Sequence, residues 1–135
     1  MKKIKVTVGI TENNYSAHVI IGDGIAVATG KTFAELKSQM QEAVEFHLEG
    51  MTEDGEKIPE AFQGVYELVY RFDTQSLLTH YNGIFTNAAL ERMTGINQRQ
   101  LQRYASGVTK PLDKQAKKIE TALHSLGNEL LAVEL

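Results

Sequence analysis

The side chains best suited to a chemical task lie in one seven-residue segment of the C-terminal half, residues 97–103. Arg forms paired hydrogen bonds with guanine, and Asn or Gln does the same with adenine. No acidic residue occurs between positions 97 and 110, whereas a helix that is merely solvated usually mixes Glu with its Arg and Gln. A plain helical bundle with a polar surface is the alternative. The segment is predicted to read DNA bases through Asn97, Gln98, Arg99, Gln102 and Arg103.

Several lysines follow this segment. We expect Lys110, Lys114 and Lys117, together with Lys118, to contact phosphates, which supply affinity without sequence information. An ordinary solvated face would carry the same lysines. Residues 86–118 hold seven basic and two acidic side chains, although the net charge of the chain is −3. The small net charge therefore conceals a basic segment that suits nucleic acid.

The N-terminal half has the opposite charge. Residues 1–64 hold ten acidic and six basic side chains. Such asymmetry favours two modules with different partners, which we place at residues 1–72 and 73–135. Two solvated faces of a single domain are the alternative.

Neither half offers the residues of an enzyme or a metal site. The chain has no Cys, which removes disulfides, thiolate ligands and cysteine nucleophiles and favours a reducing cytoplasm. The four His residues show no metal-ligand spacing, and the turn at residues 22–24 lacks the helix and Lys of a phosphate loop. No apolar run approaches the roughly 20 residues of a membrane span. We expect no catalytic residues, no cofactor and no membrane partner.

The elements of the N-terminal half follow from its periodicity. Alternating apolar residues predict strands over 4–8, 15–21 and 25–29, with a tight turn at 22–24. Thr32 and Glu35 form a capping box that begins a helix, which Gly50 is expected to end. An acidic loop over 52–64 then leads to a strand over 65–72. The order β-β-β-α-β predicts an α+β domain with one helix packed on one sheet.

The C-terminal half is predicted to be all-α. Asp73, Thr86 or Asn87, and Asn97 are expected to cap three short helices, and Gly95 separates the second helix from the third. A longer helix begins at about Leu112 with its apolar side inward, and Gly127 is expected to interrupt it. Residues 130–135 suit either a last helical turn or a short strand. Two short helices joined through a glycine favour a helix-turn-helix, whose second helix enters the major groove.

Residues 75–126 resemble the Cro/C1 (Xre-type) helix-turn-helix family. The likeness lies in residues 87–107, from Asn-Ala-Ala-Leu to Tyr-Ala-Ser-Gly, followed by Lys110 and Pro111. Glu91 stands where the family usually has a small residue at the helix crossing. Either the crossing is wider here or Glu91 leans outward.

The N-terminal half resembles the HicB antitoxin family, whose first domain is a truncated ribonuclease-H-like β-β-β-α-β unit. The likeness lies in Tyr15 and Ala17 and in residues 29–36, 43–51 and 53–59. The family's Pro-Asp-x-Pro-Gly-Cys stretch is replaced by residues 21–25. The ribonuclease-H carboxylates are also missing, so the resemblance extends to the scaffold and implies no nuclease activity.

Together the two resemblances imply an antitoxin of a bacterial type II toxin–antitoxin system. The first domain would mask a small basic, messenger-RNA-cleaving toxin of the HicA type. The second would bind operator DNA as a homodimer or higher homo-oligomer and repress its own operon. Complementary charge speeds and orients such an encounter, which points to Glu53, Asp54 and Glu56 as toxin-binding residues. Two alternatives are a ligand-sensing helix-turn-helix regulator without a toxin and an RNA-processing enzyme, and the missing carboxylates argue against the enzyme.

Overall fold

The computed structural model describes all residues from 1 to 135 and is α+β, with one four-stranded mixed sheet and five α-helices. The chain divides into two compact units, Met1–Asp73 and Thr74–Leu135. Each unit has a hydrophobic core of its own.

The first unit is built on the sheet. Its strands are β1 (Lys2–Ile10), β2 (Tyr15–Ile21), β3 (Gly24–Gly30) and β4 (Tyr66–Phe72), in the spatial order β3-β2-β1-β4. The first three strands are antiparallel, and β4 runs parallel to β1. Alternation places Ile4, Val6 and Val8 on one buried face, which confirms the predicted period of two. The turn between β2 and β3 has positive φ (61°) at Gly22.

A single helix, α1 (Phe33–Glu53), covers the buried face of this sheet with Leu36, Met40 and Val44. Thr32 begins it as predicted, because its hydroxyl accepts a hydrogen bond from the Glu35 N–H at 3.0 Å. A capping box predicts that the Glu35 carboxylate accepts a hydrogen bond from the Thr32 N–H. It accepts instead from the N–H of Lys31, one residue earlier, at 3.4 Å.

Two predictions for the end of α1 are wrong. The helix passes through Gly50 and ends at Glu53. Gly50 does not adopt the positive φ with which a glycine commonly ends a helix. Residues 52–64 are therefore not a loop throughout, since their first two residues are helical and Glu60–Phe62 forms a 3₁₀ turn. Phe62 in that turn is buried in the core of the first unit.

The second unit is entirely helical. Its helices are α2 (Thr74–Tyr81), α3 (Asn87–Thr94), α4 (Gln98–Ser106) and α5 (Asp113–Leu131). Each helix contributes at least one buried residue to the core, and the α3–α4 connection contributes one more. The buried residues are Leu78, Leu90, Ile96, Leu101, Tyr104 and Ile119. No helix of either unit is both long enough and apolar enough to cross a membrane.

Two predicted details of α5 are wrong, and the structure decides between the two alternatives for the residues at its end. Leu112 is 78% exposed instead of inward, because it precedes the helix in an extended conformation. Gly127 does not interrupt α5, which continues to Leu131 and tolerates the roughly 1 kcal/mol that an interior glycine costs. Residues 130 and 131 are helical, and no strand follows them.

Candidate nucleic-acid interface

The position of α4 depends on a three-residue connection. Gly95 has φ 76° and ends α3, with its N–H donating to the Glu91 carbonyl oxygen at 2.7 Å. This left-handed conformation favours glycine. Ile96 then turns into the core, and the Asn97 side chain accepts from the Arg99 N–H at 2.8 Å to cap α4. Gly95 therefore ends α3, Ile96 anchors the connection in the core, and Asn97 begins α4.

The face that α4 turns to solvent follows from the face it buries. Leu101 and Tyr104 are buried three residues apart. The side chains on the opposite face are exposed because the helix repeats every 3.6 residues. That face carries Arg99, Gln102, Arg103 and Ser106, and Gln98 is exposed at its edge.

The two glutamines of this face are held by α3. Gln98 donates its backbone N–H to Oε1 of Glu91 at 3.1 Å and its side-chain Nε2 to Oε2 of the same carboxylate at 3.3 Å. Gln102 accepts at Oε1 from Nδ2 of Asn87 at 3.0 Å. Glu91 thus lies along the connection and satisfies an otherwise unpaired N–H at the start of α4.

Arg99 and Arg103 differ from the amides beside them. Neither guanidinium group has an ion pair or hydrogen bond within the chain, and both side chains are exposed one helical turn apart. No carboxylate occurs on α4. Of the five predicted base-reading residues, these two alone present their polar groups without a partner. Asn97, Gln98 and Gln102 already bond to the chain itself.

The predicted phosphate-binding lysines lie elsewhere in the unit. Lys110 is exposed in the segment between α4 and α5, and Lys114 and Lys117 are exposed on α5. Lys117 Nζ is 3.1 Å from Oε2 of Glu120, in an exposed pair of the kind that contributes at most about 1 kcal/mol. A phosphate can displace so weak a partner.

The predicted acidic site is part of a larger surface of the first unit. Glu53 is the last residue of α1, Asp54 is its C-cap, and Glu56 follows Gly55. Glu53 also borders an open groove of about 550 Å³ between α1 and residues 58–62, which the sequence reasoning missed. A Glu repeated every four residues on α1 was the available signal. The groove is lined by Glu45, Leu48, Glu49, Thr52, Glu53, Ile58 and Phe62.

No group of three or more His, Cys, Asp or Glu residues is arranged to hold a metal ion. Burial raises the pKa of Tyr70, and burial followed by the Glu45 carboxylate raises the pKa of Tyr66. The chain matches no protein-family model, no curated protein and no solved structure.

Proposed function

We propose that the second unit is a helix-turn-helix domain that binds operator DNA, with α4 as its recognition helix. The observation that carries this proposal is the exposed, unpaired Arg99–Arg103 face on a helix without a carboxylate. Arginines in a major groove bind guanine in pairs of hydrogen bonds. The bonds from α3 to Gln98 and Gln102 would fix the direction in which α4 presents them.

The first unit is proposed to be a truncated ribonuclease-H-like domain of the HicB type that binds and masks a HicA-type toxin. Its strand order and its single helix on one sheet face are consistent with such a scaffold. Its acidic side chains suit a basic RNA-cleaving protein, because opposite charges accelerate and orient association. Together the two units would form an antitoxin that represses its own operon.

A homodimer is part of the proposal, because helix-turn-helix proteins usually bind two half-sites about one DNA turn apart. Either residues 130–135 or an edge strand of the sheet in the first unit would make this contact, and residues 130–135 are rich in apolar side chains. Leu130, Leu131, Val133 and Leu135 are each more than half exposed. Exposed apolar groups in such density favour association with a second copy.

The test of this function is Arg99→Ala, measured by titration of the protein with DNA from upstream of its own gene. If Arg99 binds one guanine, the variant loses about 1–3 kcal/mol of binding free energy and becomes tolerant of changes at one base. Arg71→Ala in β4 is the matched control, because it removes an exposed arginine from the other unit.

Toxin binding is measured on the same variants by co-purification with the product of the adjacent small gene. Arg99→Ala should leave that binding unchanged. Equal loss of DNA binding in both arginine variants would contradict the recognition-helix assignment. The absence of any toxin-binding partner, with operator binding intact, would favour the ligand-sensing regulator instead.

A further inference from the structure

The groove between α1 and residues 58–62 combines an apolar floor with an acidic rim. Leu48, Ile58 and Phe62 supply apolar side chains, and the volume of about 550 Å³ lies within the range of protein binding pockets. Glu45, Glu49 and Glu53 follow one another at intervals of four residues along the rim. The three carboxylates therefore lie on one side of the helix.

The rim charges are not neutralised within the chain. None of the three rim carboxylates forms an ion pair, and the only side-chain bond to the rim is from Gln41 Nε2 to Glu45 Oε1 at 2.9 Å. Like charges four residues apart destabilise a helix. The last turn of α1 has no basic residue, although the negative end of the helix dipole favours one there. A cationic partner would relieve both effects.

The electrostatic field of the rim reaches the residues beneath it. Burial first, and then the carboxylate of Glu45, raises the pKa of Tyr66. The ring of Tyr66 packs edge-on against Phe62 with their centroids 5.4 Å apart. The charge of Glu45 thus acts on Tyr66, whose ring contacts a residue that lines the groove.

The length of the rim distinguishes between kinds of cation. Eight residues separate Glu45 from Glu53, which is about 12 Å along a helix that rises 1.5 Å per residue. A single small cation cannot contact all three carboxylates over that distance. A polypeptide segment can do so, because its Lys or Arg side chains are spaced along the chain while an apolar side chain between them fills the floor.

We infer that this groove binds a segment of the partner protein that carries two or more Lys or Arg residues around an apolar residue. The inference rests on the proposed function, since the partner it would accept is the basic toxin. It extends the toxin-binding surface from Glu53 to Glu45 and Glu49, and it makes α1, more than the residues after it, the main contact.

The experiment compares the full chain with the triple variant E45Q/E49Q/E53Q in binding to the purified toxin with its active site disabled. We expect affinity to fall by about tenfold or more, mostly through slower association and a weaker dependence on salt. The control E12Q/D23N/E67Q removes the same charge from three exposed positions of the same unit that are not in the groove. It should bind nearly as well as the original chain.

Two readouts separate the possible failures. If the original chain does not bind the toxin, the proposed function fails. If the original chain binds but the two triple variants weaken binding equally, or neither does, the groove inference is overturned while the function stands. Thermal unfolding shows whether E45Q/E49Q/E53Q is folded, and its melting temperature should equal or exceed that of the original chain because repulsion on α1 is removed.

Discussion

The exposed faces of α1 and α4 are both strongly charged, but they are organised in different ways. On α4, Gln98 and Gln102 bond to the neighbouring helix α3, and Asn97 caps the helix itself. On α1, the rim carboxylates receive one bond, and that bond comes from the same helix. The glutamines beside the two arginines of α4 are therefore tied to a neighbouring helix by tertiary contacts, and the acidic rim is not.

The difference indicates two kinds of recognition. DNA presents base edges at fixed positions, so a reading helix must be held in a defined orientation. A basic protein segment has long and flexible side chains that adapt to the carboxylates they meet, so charge and a floor of apolar contact are enough. The face of α4, held by α3, suits recognition of a DNA sequence. The rim of α1, whose carboxylates have no tertiary partner, suits rapid association with a basic protein.

Removal of a core residue tests most strongly whether the two faces belong to independent units. Leu101 is fully buried in the second core, and Leu101→Ala should cost about 2–5 kcal/mol because it leaves a cavity. DNA binding should be lost while toxin binding persists. Urea unfolding followed by circular dichroism measures the stability, and the two binding assays measure the rest.

Leu36→Ala is the matched control, because Leu36 is equally buried in the core of the first unit. It should weaken toxin binding and leave operator binding closer to normal. If either variant abolishes both activities to the same extent, the two units do not fold and function independently.

The next largest effect is expected at Glu91, whose carboxylate orients Gln98 but also places a negative charge near the proposed DNA surface. Glu91→Ala should destabilise the second unit by about 1 kcal/mol, since it removes two hydrogen bonds at the start of α4. Binding to random DNA should strengthen, because one repulsive charge is gone, and discrimination between operator and random DNA should fall.

Gln102→Ala provides the comparison for Glu91→Ala. It removes the bond from Asn87 without a change in charge, so it should lower stability slightly and leave binding to random DNA unchanged. Weaker binding of Glu91→Ala to random DNA would show that orientation of α4 outweighs the charge.

Much of the fold could be predicted because it depends on local pattern. The sequence predicts Thr32 and Asn97 as caps, and their side chains accept hydrogen bonds from the N–H groups that capping requires. The strand periodicity places the correct residues inward, and the strand bounds differ from those expected by at most two residues. Glycine is typical of helix ends, which predicts breaks at Gly50 and Gly127, but neither residue has positive φ and both helices continue through them.

The candidate sites could be predicted only as far as residue type and exposure. That Gln98 and Gln102 face solvent follows from the period of α4, but their bonds to Glu91 and Asn87 depend on how α3 and α4 cross. The groove was not predictable either. It exists because Phe62 is buried in the core, so that residues 58–62 lie beside α1.

The smallest expected effect concerns the field of the acidic rim. The pKa of Tyr66 is raised above its ordinary value of 10.0 by burial and, to a lesser degree, by the carboxylate of Glu45. In the unfolded chain the phenol loses its proton first. The contribution of Tyr66 to stability is therefore complete below about pH 10 and is lost as the pH rises through the raised pKa.

Glu45→Gln separates the two causes. It should lower the pKa of Tyr66 only part of the way toward 10.0, because burial remains the larger cause. The pKa of Tyr70, which burial alone raises, should not change and serves as the internal control. NMR of chains with labelled tyrosine rings follows both phenols in one titration.

An unchanged pKa of Tyr66 in the variant would mean that water screens the Glu45 charge from the ring. The rim would then attract a partner over a short range only. The difference between α1 and α4 would rest on how their side chains are held, and not on the charge of the rim.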